Sequence, residues 1–212
     1  MDSIKVSNNM LERMPVYLNF LKALPKSTKN ISATKIAGAL GLGEVSVRKD
    51  LAKISNGGRC KLGYDCKALI HDIEAFLGVK SMLNAVVIGK GEILQALLNY
   101  EGFEHSGLDI LAGFDVSSSK KRCCDQKVIY PFHKLKEFCK ENSVQIGVIM
   151  VSVEVAQVVC DQLISLGVEG IWNFTPVHLE VPGHVILQNE SFTASITKFR
   201  MQLREKEEEM KI

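Results

Sequence analysis

Two glycines and one acid, Gly89, Gly91 and Asp115, have the residue types and the spacing that suit the diphosphate and ribose of a dinucleotide. We expect Gly89 to permit a tight turn and Gly91 to allow close approach of the backbone to a pyrophosphate. Asp115 follows Gly91 by 24 residues, where an acid can accept hydrogen bonds from a ribose hydroxyl. Free N–H groups at the start of the following helix attract phosphate. These residues predict a dinucleotide-binding unit.

The segments that carry these residues have the pattern strand, helix, strand. Residues 85–88 are an apolar run typical of a buried parallel strand, and helical periodicity follows through Leu97. A second apolar run, residues 110–114, leads directly into the acid. Apolar runs and helical segments then alternate as far as residue 188, which indicates a mainly parallel sheet with helices on both faces. The sequence therefore predicts a Rossmann-like α/β domain over residues 81–190.

Two side chains break the glycine fingerprint G-x-G-x-x-G. Leu94 stands where the third glycine belongs, and we expect its side chain to hold the helix away from the strand. Glu92 places a negative charge in the first helical turn, where it repels a pyrophosphate by ~1–3 kcal/mol per phosphate charge at ~5 Å. NAD(H) is the expected cofactor of this unit, and a scaffold that has lost its ligand is the alternative.

A second unit, residues 1–80, has the pattern of a helix-turn-helix. Ser32 is expected to cap a short helix, Gly41-Leu-Gly43 to form the turn, and residues 44–54 to form a second helix. Four apolar residues of that helix are expected in the core: Val45, Val47, Leu51 and Ile54. Its polar and basic residues are the candidates for contact with DNA: Ser46, Arg48, Lys49 and Lys53.

The glycine-rich segment 55–64 follows the second helix and suits the wing of a winged helix. A wing can place cations near phosphate or in the minor groove. The candidates are Arg59, Lys61 and Tyr64, and a closing helix is expected over residues 66–77. The alternative is a small helical adaptor whose charges are merely solvated.

The distribution of charge favours an anionic partner for the first unit. Residues 1–80 hold 13 lysines and arginines against 7 acids, a net charge of +6, whereas the remaining residues carry −4. Double-stranded DNA is the simplest such partner. No apolar segment reaches membrane-spanning length, so a cytoplasmic protein is expected. The six cysteines lack zinc-ligand spacing and are expected to be free thiols, and no metal site is predicted.

The C-terminal segment, residues 191–212, is predicted to form an amphipathic helix after the sheet is complete. Its apolar residues lie along part of one side: Phe192, Ile196, Phe199, Met201 and Leu203. A helix with such a stripe needs another surface to cover it. The partner subunit of a homodimer is the natural candidate.

Several strings in this order resemble the family of redox-sensing transcriptional repressors called Rex, from about Arg13 to about Arg204. They include the following: Arg13-Met-Pro-Val-Tyr-Leu, Val47-Arg-Lys-Asp-Leu51, Gly63-Tyr-Asp65, Gly113-Phe-Asp115, Asn173-Phe-Thr-Pro176 and Val181-Pro182. The resemblance implies a homodimer that binds an inverted-repeat, A·T-rich operator and leaves it when NADH replaces NAD. It also implies a swapped C-terminal helix, with Asn173, Phe174, Thr175 and Pro176 lining the nicotinamide pocket.

Two other functions are consistent with the sequence. One is a Rex-like paralogue that binds DNA with a weak or absent response to NAD(H), and senses another nucleotide or thiol oxidation. The other is a small NAD-dependent dehydrogenase. The chain has no Tyr-x-x-x-Lys pair, and no substrate domain remains once the first 80 residues are set aside, so we expect no enzyme.

Overall fold

The computed structural model describes residues 6–55, 57–59, 62–118, 120–124 and 127–210, with the backbone alone at Cys124. Its contacts divide the chain into two compact units, Met1–Ser81 and Met82–Ile212. Within the described ranges, no helix has the length and apolar character needed to cross a membrane. The same ranges contain no cluster of three or more His, Cys, Asp or Glu side chains that could hold a metal ion.

The described part of the first unit contains helices and one short two-stranded sheet. The elements are α1 (Asn8–Ala23), β1 (Asn30–Ile31), α2 (Ala33–Leu40), α3 (Glu44–Ile54), β2 (Tyr64–Asp65) and α4 (Cys66–Leu77). Ser32 caps α2, because its side chain accepts a hydrogen bond from the N–H of Lys35 at 3.1 Å. Asp65 caps α4 in the same way through the N–H of Ala68. The helix-turn-helix and the closing helix are thus confirmed.

The core of the first unit collects the apolar faces of all four helices. Its fully buried side chains include Met10, Met14, Tyr17, Ile36, Val47, Leu51, Leu69 and Ile73. Val45 is the exception among the residues expected there, because 67% of it is exposed. The prediction for Val45 was wrong, since the inward stripe of α3 consists of Val47, Asp50 and Leu51.

The second unit alternates strands and helices around one sheet. The elements are β3 (Leu83–Gly89), α5 (Gly91–Leu98), α6 (Gly102–His105), β4 (Leu108–Asp115), β5 (Arg122–Cys124), β6 (Lys127–Pro131), a 3₁₀ turn (Phe132–Lys134), α7 (Leu135–Glu141), β7 (Ile146–Ile149), α8 (Val153–Ser165), β8 (Gly170–Asn173), β9 (Ile186–Asn189) and α9 (Phe192–Glu209).

The sheet has the strand order β5-β6-β4-β3-β7-β8-β9. All neighbouring strands are parallel except β5, which pairs antiparallel with β6 at one edge. Without β5, this is the 3-2-1-4-5-6 order of a doubly wound dinucleotide-binding sheet. The order reverses between β3 and β7, and ligands of such sheets bind at the carboxyl ends of the strands beside that point. The predicted Rossmann-like fold is confirmed.

Leu94 lies in the core between α5 and the sheet and is fully buried. A β-carbon added at Gly113 would lie 3.0 Å from Cδ1 of Leu94 and 2.8 Å from Cδ1 of Leu98. The bare backbone of Gly113 therefore provides the space that the leucine fills. Leu94 thus packs on the sheet as a core residue.

The long helix α9 follows the sheet and has no buried residue. Its exposed apolar side chains are Phe192, Ile196, Phe199, Met201 and Leu203, and exposed Met210 follows at its C-terminal end. Their exposure leaves an apolar face without a covering surface in the described part of one chain. This is the face for which the sequence predicted a partner subunit.

Candidate DNA-binding surface and nucleotide site

The outer face of α3 carries the predicted DNA-binding residues. Ser46, Arg48, Lys49 and Lys53 all have solvent-accessible surface. The guanidinium of Arg48 pairs with the carboxylate of Glu44, one turn earlier on the same face. Exposed Val45 lies beside them and adds an apolar group that can contact a thymine methyl in a major groove. Sequence reasoning placed Val45 in the core, because its position two residues before the buried Val47 does not by itself show that it faces solvent.

The segment after α3 turns back tightly at Arg59. The N–H of Arg59 donates to the carbonyl of Gly63 at 2.9 Å, and the N–H of Gly63 donates to the carbonyl of Arg59 at 2.9 Å. Gly63 has a φ of +78°, and a β-carbon there would lie 2.3 Å from the carbonyl oxygen of Ile31. Only glycine fits this position. Arg59 is exposed, whereas Lys61 lies outside the described residues.

Tyr64 supports this turn from beneath. Only 9% of Tyr64 is exposed, and a β-carbon on Gly58 would lie 3.0 Å from its ring. Its ring therefore packs against the core of the first unit and borders the turn at Arg59. A concave surface of about 440 Å³ is lined by Arg48, Arg59, Tyr64 and the start of α2. Cations from the helix and from the turn thus line one groove.

The glycine turn lies at the switch point of the sheet. Gly91 has a φ of +64°, and no atom lies within 4 Å of where its β-carbon would be. Gly89 ends β3, and a β-carbon there would lie 3.3 Å from the carbonyl oxygen of Met150. Gly91 therefore takes the left-handed conformation at this turn, and the open space beside it agrees with the close backbone approach expected there. The N-cap residue Lys90 makes no side-chain hydrogen bond to α5, so its side chain does not occupy the first N–H groups of this helix.

Asp115 lies directly beside Gly89, with which it is paired in the sheet. Its side chain is 2% exposed, and each carboxylate oxygen already has a partner. Oδ1 accepts from the N–H of Ser117 at 2.8 Å and from its hydroxyl at 2.7 Å, while Oδ2 pairs with Arg122. Burial raises the pKa of Asp115, but hydrogen bonds from Ser117 and the charge of Arg122 outweigh it and hold the pKa below its usual value.

The segment expected at the nicotinamide begins at Asn173, the last residue of β8. Asn173 is fully buried, and its Nδ2 donates to the carbonyl of Val177 and to Oδ1 of Asn189, both at 2.9 Å. Its Oδ1 accepts from the N–H and hydroxyl of Thr175. The side chain of Asn173 therefore holds the turn together, and Thr175 is buried with it. Phe174 and Pro176 keep exposed surface.

An aromatic row links this turn to neighbouring helices. Trp172 contacts Phe103 of α6 with ring centroids 5.8 Å apart, and Phe174 with centroids 4.9 Å apart. Phe174 in turn lies 6.1 Å from Phe192, the first residue of α9. The indole N–H donates to the carboxylate of Glu190 at 3.3 Å. A displacement of the Phe174 ring can thus act directly on the ring of Phe192 at the start of α9.

Two family models match the chain, one for each unit. Residues 5–52 match a family described as a putative DNA-binding protein N-terminus. Residues 80–177 match a family described as a CoA binding domain. The two matches agree with the helix-turn-helix and with the doubly wound sheet.

Curated relatives and solved structures cover nearly the whole chain. The Redox-sensing transcriptional repressor Rex of Bacteroides fragilis is 35% identical over 197 residues, covering 92% of this chain and 90% of that protein. The protein of the same name from Pelotomaculum thermopropionicum is 34% identical and covers 98% of both chains. The structure of RSP in complex with beta-NAD+ and operator DNA is 30% identical and has a TM-score of 0.84, covering 98% of this chain and 96% of its own. The structure of RSP with beta-NADH has a TM-score of 0.85 at 28% identity and covers 99% of both chains. Because this identity extends over almost its full length and both units have the expected fold, the chain belongs to the Rex family of redox-sensing transcriptional repressors.

Proposed function

We propose that this chain is a transcriptional repressor that binds an inverted-repeat operator as a homodimer, with an affinity for DNA that follows the ratio of NADH to NAD. One observation carries the proposal, namely that an exposed basic recognition helix and a doubly wound sheet with Gly91 at its switch point occur in one chain. RSP has been solved with operator DNA and NAD+ and with NADH, which supports both halves of the proposal.

The DNA-binding half rests on the outer face of α3 and on Arg59. Arg48 and Lys49 are long cations that reach base edges or phosphates when a helix lies in the major groove. Arg59 is then the cation of the turn that follows, directed at phosphate or the minor groove. A two-fold operator requires two copies at a fixed spacing, and the apolar face of α9 is the element that we propose for the dimer.

The nucleotide half rests on the carboxyl edge of the sheet. The start of α5 at Gly91 would hold the pyrophosphate, and the pair Asp115–Arg122 would face the adenine ribose. Phe174 and Pro176 would contact the nicotinamide, whose ring is cationic in NAD+ and neutral in NADH. Since burying a charge costs more than burying a neutral ring, exclusion of water from this pocket would favour NADH. Contact between Phe174 and Phe192 would pass that difference to α9.

A second candidate is a paralogue that binds the operator with a weak response to nucleotide. Two observations favour it. Glu92 is exposed in the first turn of α5, where it repels a pyrophosphate, and both oxygens of Asp115 already have partners. In this alternative the operator complex would be insensitive to NADH.

One titration separates the two candidates. An operator duplex would first be selected from a random DNA pool by the full-length protein, and NADH or NAD+ would then be added while DNA anisotropy and tryptophan emission are recorded. NADH absorbs where tryptophan emits, so NADH bound near Trp172, the single tryptophan, should quench its emission. We expect NADH to release the operator and NAD+ to retain it. A protein that binds its operator but shows neither quenching nor release up to millimolar NADH is the insensitive paralogue.

A further inference from the structure

The end of β8 is joined to the start of α9 by main-chain and amide hydrogen bonds. The N–H of Glu190 donates to the carbonyl of Asn173 at 2.8 Å. Asn173 is paired in register with Asn189 of β9, and Nδ2 of Asn173 donates to Oδ1 of Asn189 at 2.9 Å. Ser191 then caps α9, which begins at Phe192. A single residue, Ser191, thus separates the residue bonded to β8 from the first residue of the helix.

The opposite face of the same sheet edge carries a further contact, between Trp172 and Glu190. The indole N–H donates to Oε1 of Glu190 at 3.3 Å, and Nε2 of Gln188 donates to the same oxygen at 3.4 Å. Trp172 is paired in register with Gln188, and side chains alternate along a strand, so these two lie on the face opposite Asn173. The carboxylate of Glu190 is therefore held from two neighbouring strands.

Trp172 also contacts the aromatic side chain that we expect at the nicotinamide. Its ring centroid lies 4.9 Å from that of Phe174, two residues later in the chain. Both rings are partly buried and pack against the core cluster that contains Leu94, and the ring of Phe174 also lies 6.1 Å from that of Phe192. A ligand that displaces Phe174 therefore acts on the indole as well as on Phe192.

A hydrogen bond and a ring contact transmit such a displacement differently. The contact of Phe174 with Phe192 is apolar, and the hydrophobic effect has no directional preference. A hydrogen bond weakens steeply away from linear geometry, and one to a carboxylate is about twice as strong as a neutral one. A small rotation of the indole therefore changes the position that the carboxylate of Glu190 prefers. Because Glu190 is bonded at the start of α9, that position bears on the direction of the helix.

We propose that Glu190 is a positioning residue, and that its hydrogen bond to the indole of Trp172 carries the response to NADH from the nicotinamide turn to α9. This inference rests on the proposed function, because it concerns how that response is transmitted. Phe174 would contact the nicotinamide, the indole would follow Phe174, and the carboxylate of Glu190 would follow the indole. Neither Trp172 nor Glu190 touches the ligand in this scheme.

The test measures coupling separately from affinity, in the full-length protein. Calorimetry gives the dissociation constant of NADH, and DNA anisotropy gives the factor by which saturating NADH weakens operator binding. Trp172→Phe keeps an aromatic ring and removes the N–H, whereas Glu190→Ala removes the acceptor. Each should lower that factor by roughly fivefold or more, while the affinity for NADH in the absence of DNA changes by less than ~threefold.

The controls separate this hydrogen bond from general stability. Glu190→Gln keeps an acceptor oxygen and should retain most of the wild-type factor. Gln188→Ala removes the other donor to Oε1, leaves the indole bond in place and should keep the full factor. The double variant Trp172→Phe with Glu190→Ala should respond as the single variants do, because both changes remove one contact. Since Glu190 is partly exposed, Glu190→Ala provides the answer if Trp172→Phe fails to fold.

Each other outcome contradicts a defined statement. If wild type releases its operator with NADH and both single variants do so to the same extent, the inference is wrong and the proposed function stands. Effects that multiply in the double variant would show that the two residues act independently, and an equal loss in Gln188→Ala would show that the indole bond has no special part; both results overturn the inference. If NADH up to millimolar concentration leaves operator binding of wild type unchanged, the proposed function itself fails, and the inference is lost with it.

Discussion

Arg13 of α1 and Asp50 of α3 form an ion pair in which one carboxylate oxygen, Oδ2, accepts from Nε at 2.8 Å and lies 2.7 Å from Nη2. The hydroxyl of Tyr17 donates to the same oxygen at 3.0 Å. Burial and the bond to Asp50 raise the pKa of Tyr17 to about 12, so the phenol remains a donor throughout the physiological range. Helix α3 is thus fixed to α1 by a buried polar contact on the face opposite the residues proposed to bind DNA.

Replacing Arg13 with methionine should destabilise the first unit, because it leaves the buried Asp50 without its counter-ion. Removing one partner of a buried pair costs ~3–5 kcal/mol, and the partial exposure of Arg13 reduces the expected loss to ~1–3 kcal/mol. Urea unfolding followed by circular dichroism measures it. Lys22→Met is the matched control, since its pair with Glu74 is more exposed and should be worth less than ~1 kcal/mol. Equal losses in the two variants would contradict a special role for the Arg13–Asp50 pair.

The pair between Glu44 and Arg48 predicts two variants with opposite effects on DNA binding. Arg48→Ala should weaken operator binding and reduce the salt slope by about one if the residue contacts phosphate. Glu44→Gln should strengthen binding, because it frees Arg48 and removes a negative charge from the face proposed to bind DNA. Anisotropy titrations at several salt concentrations measure both. Glu12→Gln, which removes an exposed charge from α1, serves as the control; a Glu44→Gln protein that binds no better than this control would refute the argument.

Glu92→Gln should tighten the binding of NADH. Glu92 is exposed, so water screens its repulsion, and we expect a gain of about 1 kcal/mol, roughly fivefold in affinity. Quenching of Trp172 by NADH gives the dissociation constants. The control Glu169→Gln removes an equal charge next to the amino end of β8, away from the carboxyl ends of the strands, and should leave the dissociation constant of NADH unchanged. If both variants behave alike, the effect is one of net charge rather than of position.

Truncation after Ser191 removes α9 and should convert a dimer to a monomer. The physical reason is the set of six exposed apolar side chains on this helix and at its end, which another surface must cover in a stable protein. Sedimentation velocity measures the change, and operator binding should be lost with it because half-sites need a fixed two-fold axis. Ile196→Asp with Phe199→Asp tests the same face in a full-length chain, and Glu205→Ala is its control. A truncated protein that still sediments as a dimer would exclude α9 from the interface.

Thiol reactivity should separate Cys123 from Cys160. Burial, and secondarily the charge of Asp161, raise the pKa of Cys160 to about 11. A raised pKa keeps the thiol neutral, so at pH 8 Cys160 should resist iodoacetamide, and its thiolate becomes abundant only as the pH approaches 11. Cys123 is exposed on β5 and should be alkylated first, as mass spectrometry of peptides would show. Rapid labelling of Cys160 in folded protein would contradict its burial. Cys60 and the side chain of Cys124 lie outside the described residues, so labelling there bears on neither prediction.

The elements that could be predicted well from the sequence are those whose boundaries are set locally. The predicted limits of α3 and α4 coincide with the observed helices, because glycine precedes the first and Asp65 caps the second. The strands β3 and β4 are apolar runs buried on both faces, which is the pattern of a central parallel strand. In both cases neighbouring residues carry enough information to fix the element.

The missed features depend on contacts between distant residues. The edge strand β5 consists of Arg122, Cys123 and Cys124, which have no apolar pattern, and it exists because β6 offers an unpaired edge. The pairing of Arg122 with Asp115 follows from that strand, so no local pattern indicates that the acid is occupied. The fit of Leu94 was hidden for a similar reason, because it depends on Gly113 in the next strand.

The contact of Leu94 with Gly113 also limits how this chain can evolve. Replacing Leu94 with glycine alone would empty a buried site at a cost of ~3–5 kcal/mol, with ~1 kcal/mol more for a glycine inside a helix. Domains are stable by only ~5–15 kcal/mol, so such a chain would be close to unfolding. A β-carbon added at Gly113 alone would lie 2.8 Å from Cδ1 of Leu98 and 3.0 Å from Cδ1 of Leu94, so both side chains would have to shift. Leu94 and Gly113 are therefore coupled through this contact, and a single substitution at either position is costly.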